Sequence, residues 1–346
     1  MVEPSAERVM VVAKPGWLTT VQDGGRRGYQ RYGVPVGGAM DAFALRLANA
    51  LVGNAPDAAA LELTLAGAAF RFAADALVAV TGGGSVPAVN GEPVPMWRPV
   101  FIRAGAELAF IPAPEGCRTY VAVAGGIAVP AVLGSRSTQL SARFGGHRGR
   151  PLREGDALSF GKPNSPAPAL WDALRRRAEG VAWATASWGV SPYALPPYDA
   201  HPVIRMTRGP EWDRFAPDTI DLLQRTAFTV SPRSNRIGYR LERGEPLRAE
   251  GASAMLSEPV ALGTVQVPPD GRPIVLMADR QTTGGYPRIA QVAEADLPVL
   301  AQVHPGGTVR FRIIDPDASQ RLWLVRQAEE RALFAGIRLK LAEGGH

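Results

Sequence analysis

The stretch "PIVLMADRQTTGGYPRI", Pro273–Ile289, contains both kinds of segment that recur along the chain, a short apolar run and a polar segment with glycines. Its first part is a short apolar run, which is typical of a buried β-strand. Polar residues and two glycines follow at once, and these are typical of a turn. Glycines also allow a ligand or another part of the backbone to approach closely. The stretch therefore predicts a strand followed by a turn or a binding site, and its residues alone favour neither.

Short apolar segments punctuated by glycine and proline recur along the whole chain, which contains 38 Gly and 31 Pro in 346 residues. In the first half the predicted strands are "RVMVVA", "WLTTVQ", "ALELTLAG", "ALVAVTGG", "ELAFIPA", "TYVAVAGGIAV" and "GDALSFG". In the second half they are "HPVIRMTRG", "TAFTVSP", "IGYRLE", "EPVALGTVQVP", "PIVLMAD" and "GTVRFRII". Because they do not alternate regularly with helices, we expect a mainly β fold (β/α+β) of barrels or sandwiches with a few helices.

Helical periodicity interrupts the strands at four places. Helices are predicted at residues 37–54, 216–225, 294–303 and 316–333. In the first of them, Met40, Phe43, Leu47 and Leu51 share one apolar face, and Asp41 lies near its N-terminus. In the third, Asp296 is expected to cap the helix and Pro298 to lie in the first turn.

The length of the chain predicts two domains, because single hydrophobic cores stop growing near roughly 250 residues. Proline is concentrated in "SPYALPPYDAHP", and we place the boundary at 192–201. The predicted domains are residues 1–192 and 200–346.

The charge of the chain, +6 with a pI of about 9.8, raises the question of a nucleic-acid partner. Thirty-five of the 38 basic residues are arginines, and the longest cluster is only Arg175–Arg177. No basic run is interleaved with aromatic residues, so we expect neither nucleic-acid binding nor membrane binding. The N-terminus lacks the pattern of a signal peptide, and no apolar run is long enough to span a bilayer. The sequence predicts a soluble cytoplasmic protein whose single Cys117 is a buried structural thiol.

Standard cofactor and metal motifs are missing. The glycine-rich "TGGGSVPAVNG", residues 81–91, has no lysine and does not fit a phosphate-binding loop. The histidines, which are His147, His201, His304 and His346, are scattered without ligand spacing, so no metal site is predicted. Lys162 lies on a predicted turn but has none of the flanking methionines usual for a biotinylated lysine.

Polar clusters remain as candidate binding residues. A long glycine-rich loop carries Gln22 and Asp23, and such loops within compact domains are often functional. "SPRSNRIGYRL" supplies Ser234, Asn235, Arg236 and Tyr239 at the start of a strand, and Gln266 lies within an apolar strand. A glutamine there needs solvent or a polar partner, and a ligand is one such partner.

These clusters together resemble the KipA family, also called allophanate hydrolase subunit 2 or the 5-oxoprolinase C subunit. The resemblance rests on "TVQDGGRRGYQRYGVPVGGAMD", "LVGN" with "ALELTLAG", "FGGHRGRPLREGD", "SNRIGYRL" and "GTVQVPPDGRPIVLMADRQTTGGYP". It runs from about Val9 to Ile314 in the order of the family. It implies two cyclophilin-like β-barrel domains that correspond to half of the carboxyltransferase domain of urea carboxylase.

The same resemblance implies a function in a complex. Its partners would be a KipI-like protein (the 5-oxoprolinase B subunit) and the 5-oxoprolinase A subunit, and the three would open 5-oxo-L-proline to L-glutamate with ATP hydrolysis. Two alternatives stay open. One is a carboxyltransferase component that receives carboxybiotin from another polypeptide, and the other is a KipA-type regulator that binds a KipI-like kinase inhibitor. Which substrate is used, whether this chain binds ATP itself and the stoichiometry are left undecided.

Site roles follow as hypotheses from the chemistry of opening an unstrained lactam, whose oxygen must be activated. The predicted catalytic residues are Asp279 for proton transfer, Arg236 and Gln281 for charge stabilisation, and Tyr286 for donation or positioning. The predicted substrate-binding residues are Gln22, Asp23, Ser234, Asn235, Tyr239, Gln266, Arg280, Thr282, Thr283, Gly284 and Gly285. Arg236 or Arg280 is available to clamp a substrate carboxylate. Residues 143–150, "RFGGHRGR", are either a mobile lid or a static loop.

Overall fold

The computed structural model describes residues 8–113, 115–163, 167–242, 244–251 and 255–343. Its contacts divide the chain into two compact units. The first comprises Met1–Gly25, Asp41–Leu195 and Glu330–His346, and the second comprises Arg26–Met40 and Pro196–Glu329. The division into domains 1–192 and 200–346 stays a prediction, and the compact units differ from it at residues 26–40 and 330–346.

The first unit is built from two six-stranded sheets. Its strands are β1 (Val9–Pro15), β2 (Leu18–Gln22), β3 (Ala60–Thr64), β4 (Ala68–Phe72), β5 (Ala76–Gly82), β6 (Ser85–Val89), β7 (Glu92–Pro93), β8 (Pro99–Ile102), β9 (Glu107–Pro112), β10 (Arg118–Val123), β11 (Ala157–Ser159) and β12 (Trp183–Thr185). The strand orders are β11-β1-β4-β9-β6-β7 and β12-β8-β5-β10-β3-β2. Apolar residues of both sheets, such as Phe72 of β4 and Val121 of β10, share one buried core.

The second unit contains a closed seven-stranded barrel. The strands of this unit are β13 (Val203–Arg208), β14 (Phe228–Val230), β15 (Gly238–Glu242), β16 (Glu258–Pro259), β17 (Thr264–Gln266), β18 (Ile274–Leu276), β19 (Thr283–Gly284), β20 (Arg288–Val292) and β21 (Thr308–Ile313), and seven of them form the barrel. The barrel order is β13-β20-β17-β18-β15-β14-β21, and a parallel pairing of β13 with β21 closes it. β16 and β19 form a separate two-stranded ladder.

Five α-helices lie in the described residues: α1 (Ala42–Leu51), α2 (Pro168–Arg177), α3 (Pro217–Arg225), α4 (Leu297–Gln302) and α5 (Pro316–Ala342). The expectation of a mainly β fold with a few helices is confirmed. Cys117 is buried, as predicted.

Two helices differ from the predictions. α2 was not predicted, because its proline-rich sequence was interpreted as a break between strands. Pro168 lies in the first turn, where a missing N–H costs nothing, and Leu170 and Leu174 are buried one turn apart. α5 continues nine residues beyond the predicted end at Leu333. A single Gly336 costs only about 1 kcal/mol in a helix, and burial of Ile337 and Leu341 on one face offsets it.

The predicted cap of α4 is also wrong. Asp296 stands directly before the helix, but its side chain makes no capping hydrogen bond. Its carboxylate instead accepts a hydrogen bond from the backbone N–H of Arg205 at 2.7 Å and pairs with the Arg205 guanidinium. A charged partner outcompetes the neutral backbone N–H groups of the helix end, since charge-assisted hydrogen bonds are the stronger ones.

A buried polar group fixes the start of α1. The Asp41 side chain accepts a hydrogen bond from the Ala44 N–H at 3.0 Å, which makes it the N-cap. The Asp41 N–H donates to the Tyr120 hydroxyl at 2.8 Å, and that hydroxyl donates to Glu62 at 2.7 Å. Burial, together with the negative charge of Glu62, raises the pKa of the Tyr120 phenol well above its usual value. Tyr120 therefore stays protonated at neutral pH and donates to the carboxylate.

The segment 143–150 is held in place within the first unit. Gln139 and Phe144 exchange backbone hydrogen bonds of 2.9 and 3.3 Å, and the Gly149 N–H donates to the Gly145 carbonyl at 2.8 Å. Arg150 forms a bidentate pair with Asp156 at 2.7 and 2.8 Å. These contacts anchor the loop at both ends.

Replacing Asp156 with asparagine is expected to destabilise the first unit by about 1.5–3 kcal/mol at neutral pH. Hydrogen bonds from Arg150 hold the pKa of the Asp156 carboxyl well below its usual range. A carboxyl group whose pKa is lower in the folded than in the unfolded chain stabilises the fold at pH values above its unfolded pKa of ~4. This contribution is lost as the pH falls below ~4. Urea unfolding at several pH values should therefore show that the difference in free energy of unfolding between wild type and Asp156→Asn becomes smaller below pH ~4. The exposed Asp172, changed to asparagine, is the control, and an equal effect there would contradict the prediction.

Candidate functional site

The candidate site is centred on a buried ion pair in the second unit. Arg236 precedes β15 and Asp279 follows β18, and these strands pair antiparallel with Gly238 opposite Leu276. The two strand ends therefore meet, and the Asp279 N–H donates to the Arg236 carbonyl at 2.8 Å. The guanidinium donates through Nε to Oδ2 at 2.9 Å and through Nη2 to Oδ1 at 3.0 Å. Both side chains are buried, so the pair is a fixed feature of the barrel.

Residues 26–40, which belong to the second unit, lie against this pair. The Gly38 carbonyl accepts a hydrogen bond from Arg236 Nη2 at 2.5 Å. A Cβ atom on Gly37 would lie 3.5 Å from Asp279 Oδ1 and 3.6 Å from Arg26 Nη1. Arg26 itself is only 1% exposed. Two guanidinium groups and one carboxylate thus meet at a glycine turn.

Arg280 lies next to this pair and is half-buried. Its Nε is 3.5 Å from the Val260 carbonyl, and no carboxylate pairs with it among the described residues. Burial lowers the pKa of the Arg280 guanidinium, which still carries its charge at neutral pH. A partly desolvated cation without an anionic partner is a feature expected of an anion-binding site.

The rest of the opening stretch forms a small ladder. Thr283 pairs with Pro259 and Gly284 with Glu258, and the Val260 N–H donates to the Thr282 carbonyl at 3.1 Å. A Cβ atom on Gly284 would lie 2.5 Å from Gln266 Nε2. Gln266 is buried, and this nitrogen is 3.5 Å from the Tyr286 carbonyl. The glycine is therefore needed for the close approach of Gln266.

Gln281, Thr283 and Tyr286 are exposed, and Thr282 and Gly285 are partly exposed. The structure therefore brings two sets of predicted site residues together, Arg236 with Asp279 and Gln266 with Gly284 and Tyr286. The roles assigned to them stay predictions.

Three predicted binding residues near Arg236 have hydrogen-bond partners within the second unit. Asn235 Oδ1 accepts hydrogen bonds from the Ile237 N–H at 2.8 Å and the Gly238 N–H at 3.3 Å, which is an Asx turn. Ser234 Oγ accepts from the Arg240 N–H at 3.0 Å. The Tyr239 side chain is buried in the barrel core, and its hydroxyl donates to the Ala301 carbonyl at 3.2 Å. These contacts orient β15 and the residues directly before it.

Gln22 and Asp23 lie in the first unit, where they organise a turn. Asp23 accepts hydrogen bonds from the hydroxyls of Ser135 and Ser137, both at 2.6 Å, and from the Gly25 N–H at 2.8 Å. Gln22 Nε2 donates to the Thr20 hydroxyl at 3.0 Å. Polar residue types alone do not reveal that Ser135 and Ser137, more than a hundred positions away, are partners of Asp23.

The sequence hypothesis did not assign site roles to Arg26, Gly37 and Gly38. A signal was present, because a glycine pair stands at the start of the predicted helix, directly after an arginine-rich loop. Within the described residues, no group of three or more His, Cys, Asp or Glu side chains is placed to hold a metal ion. His346 lies outside the described residues. In the same residues, no helix combines the length and apolar character needed to cross a bilayer.

Comparison with known proteins identifies the family. The sequence profile of the carboxyltransferase domain, subdomain A and B, matches residues 32–313. The chain is 41% identical to the 5-oxoprolinase C subunit of Escherichia coli K12 over 304 residues, which cover 88% of this chain and 90% of the relative. It is 37% identical to the 5-oxoprolinase C subunit of Haemophilus influenzae over 88% of this chain and 90% of the relative.

Structural comparison gives the same result. The crystal structure of the K. lactis urea amidolyase superimposes with a TM-score of 0.82 at 31% identity. The match covers 95% of this chain but only 20% of that protein. The fold is therefore shared with carboxyltransferase domains, and the chain belongs to the family of the carboxyltransferase domain, subdomain A and B.

Proposed function

We propose that the chain is the C subunit of a 5-oxoprolinase, which opens 5-oxo-L-proline to L-glutamate with ATP hydrolysis. The observation that carries the proposal is the similarity, along nearly the whole length of both chains, to two bacterial 5-oxoprolinase C subunits. The name of these relatives implies a complex of several subunits. The partners we propose are the 5-oxoprolinase A subunit and a KipI-like B subunit, in the cytoplasm, and the chain is active only with them.

The chemistry of the substrate agrees with the cationic site. 5-Oxoproline carries a carboxylate and an unstrained lactam, whose oxygen must be activated before water opens the ring. We propose that ATP, bound within the complex, activates this oxygen by phosphorylation. The positively charged site in the second unit would stabilise negative charge on the substrate. Gln281 and Tyr286, which are exposed, remain available to contact it.

The geometry distinguishes the two arginines proposed to clamp the substrate carboxylate. The Arg236 guanidinium is already occupied by Asp279 and Gly38. Arg280 has no carboxylate partner among the described residues, and its guanidinium presents a fork that fits a carboxylate. We therefore assign the substrate carboxylate to Arg280.

Replacing Arg280 with methionine is expected to raise the KM of the reconstituted complex for 5-oxoproline by about 10–100-fold, because a charge-assisted hydrogen-bonded pair is lost. Arg280→Lys keeps the positive charge but loses the two parallel N–H donors of the guanidinium. The KM of this variant should therefore lie between those of wild type and Arg280→Met. The exposed Arg272, changed to methionine, is the control and leaves KM unchanged. A normal KM for both Arg280 variants would assign the carboxylate to another group.

Reconstitution tests the proposed function. The purified chain is combined with its two partner proteins, and glutamate release from 5-oxoproline is measured with and without ATP. ATP-dependent release that requires this chain is the expected result. No release, with tight binding to a KipI-like protein retained, would favour the regulatory alternative.

A carboxyltransferase function is the second candidate, because the chain superimposes on urea amidolyase with a TM-score of 0.82. In that case the site would accept carboxybiotin carried by another protein. Transfer of carboxylate from a biotinylated carrier to urea, without glutamate release, would favour this alternative over oxoprolinase.

A further inference from the structure

A second cationic site lies within the first unit, outside the site described above. A cleft of about 470 Å³ opens beside the short strand β11. Apolar side chains, among them Val129, Val132, Phe144 and Leu158, line it. Arg143, His147 and Arg148 line it as well, and none of the described residues that line it is acidic. Its volume is in the range of small-molecule sites, and its lining combines apolar and basic side chains.

The arginines of this cleft are not neutralised. Arg143 and Arg148 are exposed, and neither forms an ion pair or a side-chain hydrogen bond among the described residues. The nearby Asp156 is occupied by Arg150 at 2.7 Å and lies 3.3 Å from His147 Nε2. Two guanidinium groups therefore face a cleft in which no carboxylate balances them.

The backbone adds further donors. The N–H groups of Gly145, His147 and Arg148 find no acceptor within the described part of the chain. The loop between the arginines is tightly fixed, because a Cβ atom on Gly146 would lie 1.9 Å from Thr138 Oγ1. Backbone N–H groups in glycine-rich turns form concave sites for anions, and a fixed loop has them oriented before binding.

We propose that this cleft binds a phosphate monoester whose organic part is apolar. The doubly charged phosphate accepts from the forks of Arg143 and Arg148 and from the free N–H groups, and the apolar body packs against Val132 and Phe144. A carboxylate has one charge and two oxygens, so it satisfies fewer of these donors. The residues of this cleft all belong to the first unit, and the proposal does not rest on the proposed oxoprolinase activity.

Calorimetric titration of the purified chain with phenyl phosphate, inorganic phosphate and benzoate tests the proposal. Phenyl phosphate is expected to bind with a sub-millimolar Kd and at least about tenfold more tightly than either other probe. Arg143→Ala and Arg148→Ala each weaken its binding by about tenfold. The matched control is Arg153→Ala, which removes an exposed arginine outside the cleft in the same unit and leaves the Kd unchanged.

Three results would overturn the proposal. The first is a wild-type protein that phenyl phosphate does not saturate at concentrations up to about 10 mM, because such an affinity is too weak for a specific site of this kind. The second is equal affinity for all three probes. The third is wild-type affinity in both arginine variants, whose melting temperatures show that they fold.

Discussion

Replacing Arg236 with alanine is expected to lower the free energy of unfolding of the second unit by about 3–5 kcal/mol. The substitution removes the guanidinium that donates to both oxygens of Asp279 and leaves that carboxylate buried without this partner. It also removes the donor to the Gly38 carbonyl, through which Arg236 binds residues 26–40. Differential scanning calorimetry should show the transition of this unit about 10 °C lower than in wild type.

Arg233 supplies a matched control, because it lies three residues earlier and also pairs with a carboxylate. Its contact with Glu242 is 2.9 Å, but its side chain is 73% exposed. Since exposed ion pairs contribute at most about 1 kcal/mol, Arg233→Ala should shift the transition little. The double variant Arg236→Met with Asp279→Leu should be less destabilised than Arg236→Ala, because no unpaired charge stays buried. Equal shifts for Arg233→Ala and Arg236→Ala would show that the buried pair does not hold the barrel.

Local patterns were sufficient to predict the strands that carry this pair. "IGYRLE" and "PIVLMAD" were both predicted as strands, and they correspond to β15 and β18. Arg236 and Asp279 were therefore expected at strand ends. That these two ends meet depends on the antiparallel register of strands far apart in sequence, which periodicity does not encode.

The contribution of residues 26–40 was harder to predict for the same reason. Gly38 contacts a guanidinium 198 positions away, and Met40 is buried in the core of the second unit. Sequence periodicity assigned Met40 to the apolar face of a helix in the first domain. Apolar spacing identifies a buried face but not the core that receives it.

Asp23 and Asp296 show a related limit. Both were assigned from residue type, Asp23 as a binding residue and Asp296 as a helix cap. In the structure Asp23 binds Ser135 and Ser137, and Asp296 binds Arg205. A carboxylate takes the strongest donor that the fold brings near, and that donor is a property of the topology.

Asp279→Asn is expected to lower the kcat of the reconstituted complex by about 100-fold or more, since general acid–base catalysis contributes typically 10²–10⁴. This prediction rests on the proposed role of Asp279 in proton transfer. The exposed Asp270, changed to asparagine, is the control, because its oxygen can still accept the hydrogen bond from the Arg272 N–H. Activity is compared per folded molecule, since asparagine also weakens the pair with Arg236.

The pairing of Asp279 with Arg236 makes this prediction a test between two roles. If Asp279 transfers a proton, the pH–rate profile of the asparagine variant has a different shape, because a group that takes part in proton transfer is lost. If Asp279 only orients Arg236 toward residues 26–40, activity falls but the shape of the profile is unchanged. Glutamate at this position keeps the charge that Arg236 requires but displaces the carboxylate by one methylene. Restored stability without restored kcat in Asp279→Glu would therefore indicate that the position of the carboxylate, and not its charge alone, serves the reaction.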